Sequence, residues 1–145
     1  MSHTAPERGV LQGRVLSGGI GEGPVLRLTA PLSLWGGVDP ARGTIILAAH
    51  PERGRSIAGT VLVLPAPIGS SSSSSVMLEL IHNRVAPAAI LLGAVDAILV
   101  VGCLVAREMG LVPPPVLYVP PATLARVTAG TARVADGCIV LAERK

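Results

Sequence analysis

Apolar residues in this chain fall into short blocks bounded by glycine, proline and small polar residues. Continuous apolar runs of about four to eight residues are typical of buried strands, and they predict strands at 57–64, 88–92 and 116–119. Apolar residues spaced three and four apart predict helices over 75–83 and 97–109. The second of these helices is apolar on nearly all sides.

Shorter runs that alternate loosely predict further strands at 10–16, 23–28 and 44–48. The first two of them flank a glycine-rich connection at 17–22. Pro121 opens a short helix, and residues 131–142 form a hairpin whose turn is Asp136-Gly137. The predicted order, β-β-β-β-α-β-α-β-α-β-β, is that of a mixed α/β domain.

Residues 86–106 are apolar over about the 20 residues that suffice to cross a bilayer. Asp96 lies at the middle of this stretch, where a charge is expensive, and Pro87 and Gly93 also interrupt it. We therefore predict a strand followed by a helix, with Asp96 as the N-cap and Gly110 as the stop. The sequence does not favour a membrane role.

The composition indicates one aliphatic core with part of its surface covered. The chain has 145 residues, half of them apolar, with no Phe, one Trp and one Tyr. This length predicts a single domain over 1–145, with a flexible tail at 1–9. Only 14% of residues are charged and the mean hydropathy is +0.61, so we expect a partner to cover apolar surface.

Charge and cysteine usage exclude several classes of function. The net charge of +3 comes from basic residues scattered singly, without the patch that nucleic-acid binding needs. Cys103 and Cys138 lack metal-ligand spacing, and we expect buried thiols in a reducing cytoplasm and no metal bound by this chain. Residues 1–8 lack an apolar signal region, which predicts a cytoplasmic protein.

The candidate chemistry lies in Gly69 and the six serines that follow it, between the strand at 57–64 and the helix at 75–83. A strand, a tight turn and a helix N-terminus bring backbone N–H groups to a cluster of hydroxyls. Such a turn suits a substrate carboxylate or a serine that must lose its proton. Glycine before Ser70 permits a backbone that aims one side chain outward. The alternatives are a flexible linker, or helix capping with Ser73, Ser74 or Ser75 as the N-cap.

Two other segments carry candidate residues. Trp35 precedes Gly36 and Gly37, and the segment is either a surface loop plugged by the aromatic ring or a loop whose backbone approaches a ligand or partner chain. His50 lies in a proline and glycine turn, where a structural role is the simpler reading and a base the alternative.

Four segments in order carry a resemblance to a known family: residues 32–40 (LSLWGGVDP), the pair His50-Pro51 with Gly54, residues 61–71, and residues 85–90 (VAPAAI). With them the chain resembles the small subunit, or swivel domain, of the aconitase X family of dehydratases. The resemblance implies a swivelling β/β/α domain that completes the active site of a large subunit, and that large subunit holds an iron-sulfur or iron centre. It also implies Ser70 as the proton acceptor, with Gly69 and Ser71 as substrate-binding residues. Candidates for loops at the subunit interface are Trp35, Gly36, Gly37, Asp39 and His50.

Members of this family dehydrate small hydroxy acids, either cis-3-hydroxy-L-proline or mevalonate 5-phosphate. Many have Arg or Lys immediately before the Gly-Ser pair, where this chain has Ile68. The loss of that cation favours a zwitterionic amino-acid substrate over a phosphorylated one. A competing hypothesis is a non-catalytic module that self-associates, in which the serines only cap a helix.

Overall fold

The computed structural model describes residues 9–142, so residues 1–8 of the predicted tail lie outside the described residues. The described helical elements are α1 (Leu34–Gly37), α2 (Ser73–His82), α3 (Ala97–Glu108) and α4 (Pro121–Leu124). The described strands are β1 (Val10–Gln12), β2 (Arg14–Ser17), β3 (Ile20–Arg27), β4 (Val38–Asp39), β5 (Thr44–Ile45), β6 (Val61–Leu64), β7 (Ala89–Leu92), β8 (Val116–Tyr118), β9 (Thr131–Ala135) and β10 (Cys138–Ala142).

Eight of the described strands form one mixed sheet in the order β1-β10-β9-β3-β6-β7-β8-β2. Strands β3, β6, β7 and β8 are parallel to one another, and the other neighbours in the sheet pair antiparallel. Strands β4 and β5 form a separate short antiparallel pair. The mixed α/β class predicted from the sequence is confirmed.

Both faces of the parallel strands are buried, against different layers. On one face, Leu62 and Ile90 belong to a core cluster that includes Met77 of α2 and Leu99 of α3. On the other face, Val63 belongs to a second cluster, formed with residues of β1, β9, β10 and α4. Because successive strand residues point to opposite faces, continuous apolar runs are required here. The result is the three-layer β/β/α arrangement that the resemblance implied.

Several predicted strands are shorter or differently placed than expected, because pairing partners decide where a strand ends. The predicted strand at 10–16 is broken at Gly13: β1 pairs with β10, whereas β2 pairs with β8 at the other side of the sheet. Residues 20–22, predicted as part of the glycine-rich connection at 17–22, belong to β3, which begins at Ile20. The strand predicted at 44–48 ends at Ile45, and in the strand predicted at 57–64 the residues before Val61 form a turn.

The helix ends follow the sequence closely. Asp96 is the N-cap of α3, and its carboxylate accepts the backbone N–H of Leu99 at 3.2 Å. Gly110 follows the helix end with φ of 81°, the left-handed conformation that terminates helices. The hairpin about Asp136-Gly137 and the helix at Pro121 are confirmed. Within residues 9–142, helices long and apolar enough to cross a membrane are absent.

The two cysteines differ in burial. Cys103 lies on the inner side of α3 and is fully buried, whereas Cys138 is half-buried, so the prediction of two buried thiols is wrong for Cys138. Burial raises the pKa of the Cys103 thiol from 9.0 to about 12, and the positive charge of Arg107 partly opposes that rise.

This pKa predicts a loss of stability at alkaline pH. The unfolded thiol ionises near pH 9.0 while the folded thiol keeps its proton up to about pH 12, so the free energy of unfolding should fall across that interval. Urea unfolding at stepped pH would measure the decline. Cys103→Ala should show a smaller decline than the parent, and equal slopes for the two proteins would contradict the prediction.

Candidate active site

The carboxyl ends of β3, β6 and β7 lie at one edge of the sheet, because these strands are parallel. Three loops leave this carboxyl edge: residues 28–33, the serine loop at 65–72, and residues 93–96. In open α/β sheets, ligands bind outside the carboxyl ends of the strands. The serine loop predicted from the sequence therefore occupies the position where a binding site is expected.

Neighbouring loops hold the serine loop on two sides. On one side, Leu32 forms a parallel bridge with Pro67, and the Leu32 carbonyl accepts the N–H of Ile68 at 3.0 Å. On the other side, Gly93 packs so closely that an added Cβ would overlap the backbone carbonyl of Pro65. The path of residues 65–68 is thereby fixed before the chain reaches Gly69.

Ser70 lies directly before the first turn of α2. Its carbonyl accepts the N–H of Ser73 at 3.0 Å, and its Oγ accepts the N–H of Ser72 at 3.3 Å. The residue is half-buried, whereas Gly69 and Ser71 on either side are exposed. The hydroxyl oxygen therefore faces a backbone donor at the positive end of a ten-residue helix while remaining accessible from outside.

The role expected for the Gly69 backbone differs in the structure. Gly69 does not adopt a positive φ, so the left-handed conformation is not what directs the Ser70 side chain. The space around the Gly69 Cα is open, since an added Cβ would meet no atom within 4 Å. Its contribution is an unobstructed approach to Ser70.

The serines do not form a linker, and their capping role differs from the prediction. Helix α2 begins at Ser73, so Ser73, Ser74 and Ser75 lie inside its first turn. Ser72 occupies the N-cap position but makes no side-chain capping hydrogen bond. The Ser73 hydroxyl is fully buried and has no hydrogen-bond partner among the described residues.

Ser73→Ala should therefore leave the protein as stable as the parent, or more stable by about 1 kcal/mol. A buried hydroxyl without a partner costs free energy, and Ala is the better helix former. Urea unfolding measures the change, with the half-buried Ser74→Ala as the control for helix propensity alone. A loss of more than about 1 kcal/mol on Ser73→Ala would mean that the hydroxyl has a bonding role.

A shallow groove lies beside the serine loop, lined by Trp35 and Gly36 on one side and by Ser72, Ser75 and Val76 on the other. The Trp35 side chain is 61% exposed, so the interpretation of this ring as a plug is wrong. Trp35 is extended and Gly36 has φ of 77°, a pair of conformations typical of a tight turn with glycine at its third position. The structure brings Trp35 and Gly36 next to the serine loop.

The remaining candidates, Gly37, Asp39 and His50, make local contacts. Gly37 is buried, with Leu32 against its Cα. Asp39 accepts the N–H of Ala41 at 2.9 Å. His50 is 5% exposed, and its two ring nitrogens contact the Glu52 N–H at 3.0 Å and the Ala30 carbonyl at 3.2 Å. These contacts make His50 a brace for the loop at 28–33, the loop that holds the serine loop.

The carboxyl edge carries no basic residue in its own loops, and the carboxylate of Glu52 accepts the N–H of Thr29 there at 2.7 Å. Residues 28–37, 65–72 and 93–96 contain no Lys or Arg, and the one carboxylate among them, Asp96, is occupied in capping α3. Arg27 at the end of β3 donates to the carbonyls of Leu124 and Val127. Across residues 9–142, no three His, Cys, Asp or Glu side chains come together as a metal site would require. The residues present thus do not fit the iron centre that the family implies.

Sequence reasoning missed the contacts that hold the serine loop. The Leu32 bridge and the Gly93 contact join residues about 30 positions apart, and no local pattern encodes them. The one local indication was Gly93, directly after the buried strand β7, because glycine in such a position often marks the close approach of another backbone segment.

Comparisons with known proteins identify the family of the chain. A family model described as the aconitase X swivel domain matches residues 10–141. The phosphomevalonate dehydratase small subunit of Methanothermobacter thermautotrophicus is 46% identical over 93 residues, which are 64% of this chain and 71% of that protein. The cis-3-hydroxy-L-proline dehydratase of Pseudomonas aeruginosa is 46% identical over 96 residues, which are 66% of this chain but only 17% of that protein.

A solved structure supports the same relationship. The crystal structure of Thermococcus kodakaraensis aconitase X in its holo-form superposes with a TM-score of 0.81 at 34% sequence identity. The match covers 92% of this chain and 98% of that one. The chain therefore shares its overall fold with that structure over 92% of its length.

Proposed function

Because the chain belongs to the aconitase X swivel-domain family, we propose that it is the small subunit of a two-part dehydratase and supplies Ser70 as the proton acceptor. The observation that carries this proposal is the hydrogen bond from the Ser72 N–H to the Ser70 Oγ, at the N-terminus of α2. The proposed reaction removes water from a small hydroxy acid.

A serine hydroxyl in water is a poor base, so its surroundings must stabilise the alkoxide. The Ser72 N–H donates to the Ser70 oxygen, and the dipole of α2 presents its positive end to the same place. A negative charge that develops on the oxygen is thereby favoured. The half-buried position of Ser70 leaves one side open for a partner to close and to exclude water.

The rest of the active site must come from outside residues 9–142. In the Pseudomonas relative, the matched segment is 17% of a much longer chain, whereas the Methanothermobacter relative is named as a small subunit. We propose that the aconitase X large subunit is the partner of this chain. That subunit would contribute the iron centre, which accepts the departing hydroxide, since residues 9–142 of this chain offer no set of metal ligands.

A zwitterionic substrate of the cis-3-hydroxy-L-proline type fits the carboxyl edge best. A phosphate group is usually held by Arg or Lys, and the loops of this edge contain neither, with Ile68 directly before Gly69. The competing substrate is mevalonate 5-phosphate, because a phosphomevalonate dehydratase small subunit is 46% identical to this chain, the same identity as the cis-3-hydroxy-L-proline dehydratase. For that substrate, all cations around the phosphate would have to come from the large subunit.

Reconstitution with the large subunit tests the proposal. The two chains are co-expressed, and the purified complex is assayed with cis-3-hydroxy-L-proline and with mevalonate 5-phosphate in parallel. We expect dehydration of the first compound by the complex and none by this chain alone. Activity in the isolated chain, or failure of the two chains to bind at micromolar concentration, would instead favour the non-catalytic module.

A further inference from the structure

The outer side of α3 is an exposed apolar surface, which we name the lateral face. It begins before the helix and ends after it. Its residues are Val95, Ile98, Val101, Leu104, Val105, Met109 and Val112. The exposed fractions of these residues run from 37% at Ile98 to 88% at Val112. The opposite side of α3 is buried, with Leu99 and Cys103 in the core cluster.

This distribution is unusual for a surface helix, whose outward side normally carries charged and polar residues. Residues 97–106 contain no charged side chain, and the first charged residues are Arg107 and Glu108 in the last turn. Side chains about half exposed at seven positions present on the order of 500 Å² of apolar surface, as large as the largest patch on an ordinary monomer. Such a patch is typical of an interface.

The lateral face is continuous with the carboxyl edge. Val95 is 54% exposed and lies in the loop at 93–96, where Gly93 contacts Pro65 of the serine loop. The loops of the carboxyl edge also expose Ile68 at 49% and Trp35 at 61%. A partner that covers Ser70 therefore meets apolar surface that leads directly onto α3.

We propose that the large subunit that completes the active site docks on the lateral face as well as on the carboxyl edge. This inference rests on the proposed function. A second copy of this chain, paired through α3 alone, would bury about 500 Å² on each side, less than the roughly 800 Å² of a standard stable interface. Together, the lateral face and the exposed apolar residues of the edge approach that size. Because residues 97–106 carry no charge, the surface of the large subunit that covers them should be apolar as well.

Leu104→Glu tests this surface, because Leu104 is 48% exposed at the middle of the lateral face. A carboxylate buried against an apolar partner should raise the Kd for the purified large subunit at least about 10-fold, without lowering the melting temperature of the isolated chain. The matched control is Val140→Glu. Val140 is 44% exposed on β10, in a different layer, and its substitution should leave the Kd unchanged.

The possible outcomes separate the inference from the proposed function. If the parent binds the large subunit and Leu104→Glu binds equally well, the lateral face is not part of the interface. If Leu104→Glu abolishes only self-association in analytical ultracentrifugation, the occupant is a second copy and the inference is wrong. If the parent itself does not bind, the proposed function fails and the inference fails with it. Val101→Lys provides a second disruption of the face should Leu104→Glu impair folding.

Discussion

Ser70→Ala is expected to lower the turnover number of the reconstituted dehydratase by at least about 100-fold, the low end for loss of a general base. The reason is that Ser70 alone combines the open approach beside Gly69 with a hydroxyl oxygen that faces a backbone donor, the Ser72 N–H at 3.3 Å. Ser70 is half-buried and lies outside the core, so the fold and the Kd for the large subunit should hardly change. Steady-state kinetics and a binding titration on the same preparations measure both quantities.

The neighbouring serines supply the controls for this prediction. Ser72 acts through its backbone N–H, which Ser72→Ala keeps, and Ser74 lies inside α2. Both variants should stay within a few-fold of the parent turnover. If Ser71→Ala loses activity while Ser70→Ala keeps it, the proton acceptor is Ser71. If neither variant loses activity, the serine mechanism does not apply to this protein.

The helices were predictable from the sequence because the physics that sets them is local. The spacing of apolar residues placed α2 and α3 nearly correctly, and Asp96 and Gly110 marked the two ends of α3. A capping carboxylate and a left-handed glycine act within a few residues of the end they fix.

The strand ends could not be predicted in the same way, since a strand ends where its partner ends. The run at 10–16 looks continuous in sequence, but Gly13 separates two strands that pair with different strands, β10 and β8, far onward in the chain. The same limit applied to the serine loop. Its location between a strand and a helix was evident, whereas the contacts with Leu32 and Gly93 depend on sheet pairing.

Composition predicted that apolar surface would be covered, but it did not locate that surface. Helix α3 is apolar on nearly all sides, a pattern that is typical of a fully buried helix. In the structure one side packs on α2 and the sheet while the other side is exposed. The outer side of α3 is exposed because α3 belongs to the outermost layer of the fold. No described helix or strand covers it from outside.

Gly93→Ala should lower turnover on the order of 100-fold, although residue 93 is not proposed to touch substrate. An added Cβ would overlap the Pro65 carbonyl, so the serine loop and the loop at 93–96 must move apart. A shift of about 1 Å at a reacting group can cost 100-fold in rate. Because Pro65 begins the serine loop at 65–72, which carries Ser70, the displacement should be passed to the proposed base.

A control substitution at a glycine with open space around it distinguishes displacement of the serine loop from general destabilisation. Gly18→Ala adds the same methyl group where no atom lies within 4 Å, and it should leave turnover unchanged. Gly93→Ala should cost about 1 to 3 kcal/mol through overpacking, so turnover is measured at a temperature at which both variants remain folded by circular dichroism. Full turnover in a folded Gly93→Ala enzyme would mean that the Pro65 contact does not position Ser70. A fall in turnover with the subunit Kd unchanged would mean that the position of the serine loop, set by the loop after β7, controls the chemistry.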